Sequence, residues 1–268
     1  MSAPGAVRED EPSGLSHMIG SNLLESSETA GGMAILLLHT LGRIARAKLD
    51  GTELLRNMYK MGVKSTPIVV ITALFVGAIA VIQAAPTVQR YGAYGLIGWG
   101  AGFAVLRELG PLLTALMISG RVGANNTAEL ATMVVTEQLD ALRILAIDPL
   151  SFLIAPRMIA IVATLFIATL YADALSLLGA GIAAKGMLGV EYAVYANGLT
   201  SGMLTFGDVA HGLIKSLAFG LMIAVASCYF GLTVKGGAPG VGRAVNAGVV
   251  ASATGVFILD YFVSFVIG

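Results

Sequence analysis

Five stretches of this chain, about 65–88, 95–118, 153–184, 211–234 and 245–267, are apolar for long enough to cross a membrane. A spanning helix needs about 20 mostly apolar residues, because hydrocarbon offers backbone N–H and C=O groups no partner outside the helix itself. Five such windows in 268 residues leave too little polar sequence to cover a soluble domain of this size. Only 12% of residues are charged, about half the usual 25% of soluble domains. The pattern predicts an all-α integral membrane protein with five spans. The third window is long enough to tilt, or to bend after Pro156.

Outside the windows, residues 1–31 carry Glu9, Asp10, Glu11, Glu25 and Glu28 among Ser, Gly and Pro. They predict an acidic mobile tail ahead of one membrane domain over 32–268, and they lack the pattern of a secretory signal. Over about 33–62 the apolar Leu37, Leu38, Leu41, Ile44 and Ala45 interleave with Arg43, Arg46, Lys48, Arg56 and Lys60. That mixture suits an interfacial helix whose basic side chains snorkel. A polar block, Arg121 to Asp148, separates the second and third windows, and a Gly- and Tyr-containing loop, about 186–209, separates the third and fourth.

Basic residues set the orientation. With the N-terminus inside, twelve fall on the cytoplasmic side: Arg8, Arg43, Arg46, Lys48, Arg56, Lys60, Lys64, Arg121, Arg143, Arg157, Lys235 and Arg243. Three fall outside, Arg90, Lys185 and Lys215. The C-terminus is then external, as an odd number of spans requires. A net charge of zero argues against nucleic acid as a partner. Cys228 is the only cysteine, which excludes a disulfide framework and a Cys-based zinc site.

Arg107 and Glu108 stand near the middle of the second window. A charge at mid-membrane costs about 2.5–3.5 kcal/mol even on the lower scales. Neighbours on a helix point about 100° apart, so the two do not simply neutralise each other. Either neighbouring helices satisfy them or they line a site for a polar headgroup or ion. Asp173 and Asp260 raise the same question less sharply. His211 and Lys215, four apart at the start of the fourth window, read as an interfacial snorkelling face. Gly98, Gly100 and Gly102, and Gly198 with Gly202, are spaced for close helix approach in a bundle or dimer.

Between the second and third spans, Thr136-Glu137-Gln138-Leu139-Asp140-Ala141-Leu142-Arg143-Ile144 predicts a short amphipathic helix, about 136–146. Thr136 caps it, its acidic residues stand toward the N-terminal end and Arg143 toward the other. Leu139, Leu142 and Ile144 supply an apolar ridge. Asp148 then caps a new helix with Pro149 in its first turn. A surface decoration and a docking knob for a cytoplasmic partner both fit, and docking explains the ridge better.

Several motifs resemble one family in order and spacing. They are Arg107-Glu108-Leu109-Gly110-Pro111, Gly120-Arg121-Val122-Gly123, Ala128-Glu129, Thr136 to Leu142, Ile147-Asp148-Pro149 and Pro156-Arg157. The likeness continues through Leu213-Ile214-Lys215-Ser216, Gly240 to Ala244 and Leu259-Asp260. It covers roughly residues 40–268 and is to the MlaE/YrbE permeases, the membrane subunits of Mla- and Mce-type lipid-transport ABC systems. The resemblance implies a homodimer in a bacterial inner membrane, with one interfacial helix and five spans per subunit. It also implies a cytoplasmic ABC ATPase, a periplasmic MCE-domain ring, a STAS-domain protein and phospholipid as partners. Glu137, Gln138, Leu139, Asp140, Leu142 and Arg143 would form the coupling helix in the ATPase groove. Arg107, Glu108, Tyr91 and Arg243 would contact lipid, with Val88 and Leu109 in the apolar lining. An anionic phosphate at Arg107 and Arg243 would account for arginine in an apolar span. The segment Ala84-Ala85-Pro86-Thr87 departs from the pattern and predicts a different cavity shape there.

No chemistry of its own is expected of the chain, and no cofactor. Gly237 to Ala244 echoes a P-loop, but Arg243 replaces the lysine and Ala244 the magnesium-binding hydroxyl. There is no HExxH, and neither His39 nor His211 has the context of a hydrolase triad. ATP and magnesium would belong to the partner. Two other classes remain open at this point: an ATPase-independent secondary transporter or channel using Arg107 and Glu108, and a scaffold recruiting a cytoplasmic protein through 137–143.

Overall fold

A computed structural model describes residues 15–44 and 51–267, without the side chains of 15–23, 25 and 26. The described residues are helical, and five helical runs are long and apolar enough to cross a membrane. Helices α1 (Leu15–Ile44) and α2 (Gly51–Gly62) precede the spans. The first span is α3 (Thr66–Tyr91), entered through the short Val63–Ser65 turn and running unbroken through Pro86. The second is built from α4 (Ile97–Ala104), α5 (Gly110–Ile118) and α6 (Ala124–Val135). After the short α7 (Gln138–Ile144) come α8 (Ala155–Leu188), α9 (Tyr192–Thr200), α10 (Phe206–Leu232) and α11 (Gly237–Ile267).

Three boundaries differ from the expectation. α1 begins at Leu15, inside the stretch expected as a tail, and the interfacial element is two helices rather than one. Residues 1–14 and 45–50 of those two predicted segments lie outside the described residues. The polar block Arg121 to Asp148 is mostly not a loop. Its first half is α6, which packs on α10 and α11 and buries Asn126 and Thr127 completely. Hydropathy alone ended the span near 118 because these polar side chains are satisfied internally. Asn126 Nδ2 donates to Ser227 Oγ at 2.9 Å, and Thr127 Oγ1 to the Gly123 carbonyl at 2.9 Å.

Three single π-turns interrupt the spans: Val105–Leu109, Ser119–Gly123 and Leu150–Ile154. The first and third sit just before Pro111 and Pro156. A proline lacks an N–H and crowds the carbonyl four residues back, so a widened turn there relieves the clash. The first π-turn carries Arg107 and Glu108.

The core runs along α8 and α10, where Ile154, Ile161, Leu165, Phe219 and Ile223 are buried with Ala115, Ile118 and Leu130. The α3–α8 crossing is close because two glycines meet opposing backbone. A Cβ on Gly77 would sit 1.6 Å from the Ser176 carbonyl oxygen, and one on Gly179 would sit 2.0 Å from that of Leu74. Backbone cannot swing aside, so Gly77→Ala is expected to separate the helices and cost about 1–3 kcal/mol, read as a lower melting temperature in detergent. Of the glycines expected at close approaches, Gly98 and Gly198 do meet, joining α4 to α9, whereas Gly100 and Gly202 face open space. Tyr195 seals that corner by donating its hydroxyl to the Leu177 carbonyl at 2.9 Å, and burial pushes its phenol up to about 12.

Candidate functional site

The ends of the bundle carry different chemistry. One end holds α7 and the turn between α10 and α11; the other holds α9, the start of α10 and the end of α11. Near the α9 end, the first π-turn, α10 and α11 bring seven polar side chains together.

Arg107 projects from the first π-turn toward the start of α10. Its Nη1 lies 3.5 Å from Asp208 Oδ1, and its Nη2 lies 3.1 Å from His211 Nδ1. The Phe103 ring lies 5.0 Å from its Cζ. Asp208 is held in turn by the α10 cap, where the Thr205 backbone N–H donates to its Oδ2 at 2.8 Å and the Thr205 hydroxyl at 2.9 Å. A guanidinium only donates, so His211 Nδ1 accepts and its proton sits on Nε2, which is buried without a partner among the described residues.

One residue on, Glu108 turns the other way. Its Oε2 accepts from Lys215 Nζ at 2.5 Å and its Oε1 from Ser264 Oγ at 3.3 Å. Lys215 also lies 2.8 Å from Asp260 Oδ1, an ion pair without hydrogen-bond geometry. Lys215 is entirely buried, while the Glu108 side chain remains 44% exposed. Two cations, Arg107 and Lys215, thus face three carboxylates, Glu108, Asp208 and Asp260. With His211 neutral the cluster carries one negative charge in excess.

This corrects two expectations. Lys215 does not snorkel; it is the centre of the cluster, because its four-carbon stem reaches inward between the first π-turn and α11. Arg107 does not need a bound anion to be tolerated, since its own chain supplies Asp208. Its depth also differs. The second helical run starts at Ile97 and ends at Val135, so Arg107 is ten residues, about 15 Å, from its beginning and level with the first turn of α10.

The remaining expected lipid residues are scattered. Arg243 is exposed at the α7 end, where its Nη2 reaches the Lys235 carbonyl at 3.5 Å. The α10 helix separates it from Arg107 by about 36 Å at 1.5 Å per residue. One headgroup cannot touch both within this chain. Tyr91 is exposed at the end of α3, near Arg90. Val88 is buried with Val81, Ile97 and Tyr195, and Leu109 borders a small cavity with Thr72, Val76 and Met117. Asp173 is buried with one carboxylate oxygen unpartnered among the described residues, against Gly110. A larger apolar groove, about 920 Å3, lies between α1, α10 and α11, with Met33, Leu37, Leu221, Met222, Ile258 and Leu259 on its walls.

At the α7 end, the expected amphipathic helix forms over Gln138–Ile144, but its faces are assigned differently. Leu139 is buried in the core and Leu142 packs against it, so these two mount the helix. Ile144 and Leu145 are 85% and 68% exposed. Leu139 and Ile144 lie five residues apart, about 140° around the axis, and so cannot share a ridge. Thr136 does not cap α7; its hydroxyl donates to the Thr132 carbonyl. Glu137 occupies the cap position in the left-handed region, φ 58°, as does Ala146 beyond the other end. Arg143 Nη1 pairs with Asp140 Oδ1 at 2.8 Å on the exposed face, beside Gln138. Asp148 does cap the next helix, accepting from the Ser151 N–H and hydroxyl and pairing with Arg43.

Comparison with known proteins places this architecture. The chain is 33% identical over 250 residues to a protein of Rickettsia typhi named as a probable ABC transporter permease, covering 93% of this chain and 96% of that one. A similarly named protein of Synechocystis sp. is 38% identical over 221 residues, 82% of this chain and 84% of its own. The chloroplast protein TRIGALACTOSYLDIACYLGLYCEROL 1 of Arabidopsis thaliana is 34% identical over 222 residues, 83% of this chain and 63% of its own. The family model described as Permease MlaE matches residues 54–266, from α2 to the last turn of α11, and the chain therefore belongs to the MlaE permease family.

Proposed function

We propose that the chain is the membrane subunit of an ABC transporter that moves phospholipid or a related lipid, driven by a cytoplasmic ATPase on a separate chain. The observation that carries the reading is the mounting of α7. A seven-residue helix is anchored by Leu139 and Leu142 while Ile144 and Leu145 project from the molecule. Burying such side chains against a partner is worth about 1.5–3 kcal/mol each, and a rigid mount transmits a push into α6 and α8. The basic residues concentrated at that end support a cytoplasmic position for it. The relatives named as ABC transporter permeases favour this over an ATPase-independent transporter.

Lipid as cargo is supported by the mostly apolar groove between α1, α10 and α11, and by the name of the Arabidopsis relative, which contains that of a galactolipid. The polar cluster offers the partly exposed side chains of Glu108 and Arg107 to a headgroup. In this reading two copies associate in a bacterial inner membrane, an MCE-domain ring sits over the α9 end and a STAS-domain protein joins the ATPase. The chain itself binds no nucleotide.

The test is lipid-stimulated ATP hydrolysis by the chain purified with its co-expressed ATPase. Ile144→Glu or Asp140→Lys is expected to lower ATPase co-purification at least tenfold while the spans still insert. Exposed pairs such as Asp140–Arg143 contribute little to folding. Full co-purification and full hydrolysis in both variants would remove the docking assignment.

A further inference from the structure

A second charged site lies away from the cluster, at the α7 end. A cavity of about 300 Å3 opens between the α2–α3 junction and the π-turn joining α5 to α6. It is lined by Lys60, Lys64, Ser65, Arg121 and Asn125 with Met61 and Val122. Its charge is unbalanced. Lys60 pairs with Glu129, but Arg157, 3.1 Å from the same carboxylate, claims it as well. Arg121 spends one N–H on the Lys64 carbonyl at 2.7 Å and meets no carboxylate among the described residues. The Lys64 ammonium likewise has no partner among them. Two cations therefore share one carboxylate, and the Arg121 and Lys64 charges are left without one among the described residues.

The surroundings identify what would complete it. Arg121 is fixed by its bond to the Lys64 backbone, which leaves guanidinium N–H groups arranged for bidentate contact with phosphate oxygens. Lys64 heads a stripe continued by Ile68, Ile71 and Phe75, which are 42%, 57% and 65% exposed along the outer face of α3. These positions recur at helical spacing, so a cation stands at the interface directly above an apolar, bilayer-facing strip. Basic pockets in this position suit anionic headgroups whose chains run down the span. A free phosphate would use the cations and leave the stripe unexplained.

We infer that Lys64, Arg121 and Lys60 form a resident site for the phosphate-bearing headgroup of an anionic lipid, in the leaflet on the α7 side, with its chains along Ile68, Ile71 and Phe75. The inference is independent of the transport reading, since it concerns neither the α9-end cluster nor α7.

Native mass spectrometry of the full-length protein in mild detergent, titrated with dioleoylphosphatidylglycerol or dioleoylphosphatidylcholine, tests it. Retention of the anionic lipid over the zwitterionic one is expected, falling about fivefold in Lys64→Gln, which removes a cation that has no partner among the described residues. Arg121→Gln should fall further, and Arg90→Gln, at the opposite end, should not change. Equal retention of the two lipids by the unaltered protein, or the same loss from Arg90→Gln as from Lys64→Gln, would overturn the site. Displacement of the lipid by millimolar inorganic phosphate would overturn the lipid assignment in favour of a free anion. Unchanged lipid retention in Lys64→Gln with loss of ATPase co-purification would overturn it in favour of a protein contact.

Discussion

Lys215→Met is expected to leave the protein poorly folded, with a melting temperature in detergent roughly 10 °C lower and little transport activity. The ammonium is completely buried and is shared by Glu108 and Asp260, which stand on two other spans. Methionine fills nearly the same volume, so the effect comes from charge rather than from a cavity. Removing one partner of a buried ion pair costs about 3–5 kcal/mol because the other charge is stranded, and soluble domains of this size lose about 2–4 °C per kcal/mol. Here two carboxylates are stranded, although Glu108 is partly exposed and can regain water. The decisive control is the triple variant Lys215→Met/Glu108→Gln/Asp260→Asn, which removes the stranded charges and is expected to recover most of the lost stability. Recovery of folding without recovery of lipid-stimulated hydrolysis would separate the cluster's structural role from its role toward cargo. A Lys215→Met protein as stable as the original would mean that the contact of the first π-turn with α10 and α11 does not depend on this ion pair.

Arg107, Glu108, His211, Lys215 and Asp260 stood out in the sequence inside or beside apolar windows, whereas Asp208 fell within the expected 186–209 loop and Ser264 carries no charge; the pairing was not visible either. Glu108 and Lys215 are 107 residues apart, and Lys215 and Asp260 are 45 apart, so no helical spacing rule connects them. His211 and Lys215, four apart, invited the local explanation of a snorkelling face, and the local explanation is the one the fold overrules. The five spans were legible because bilayer thickness imposes a length that composition reports directly. Their ends were less so. α6 carries Asn126, Thr127 and Glu129, whose polarity resembles a loop until Ser227 and Arg157 are seen opposite them. The α7 helix was legible as an element, but not which leucine faces the core, since in a seven-residue helix two adjacent faces are nearly equally apolar. The same reasoning explains Arg243. Sequence motifs group it with Arg107 in the family pattern while the distribution of basic residues puts it on the cytoplasmic side, and the length of α10 shows how far apart the two stand.

Glu129→Gln should be the more damaging of the two single changes at the α7 end that break its central ion pair, and Arg157→Met the milder. Arg157 is 8% exposed and donates from Nη1 to Glu129 Oε2 and to Asn126 Oδ1, both at 3.1 Å, while its Nε has no partner among the described residues. Neutralising Glu129 therefore strands a buried guanidinium, and it also releases Lys60 and Asn125, which bond to the other carboxylate oxygen. A loss of about 3 kcal/mol is expected. Arg157→Met instead removes the buried charge itself. Glu129 keeps Lys60 and Asn125, and Asn126 keeps Ser227 at 2.9 Å, so the cost should be about 1 kcal/mol or less. The pair ties α2, α6 and α8 together just where α6 leads into α7. Its loss should therefore loosen the mount of Ile144 and Leu145, and reduce lipid stimulation of the ATPase more than basal hydrolysis. Thermal unfolding of the two variants side by side decides the order. If Arg157→Met proves the worse, the guanidinium is held by packing of its stem rather than by Glu129, and the mechanical link from α2 through α6 to α7 has to be sought elsewhere.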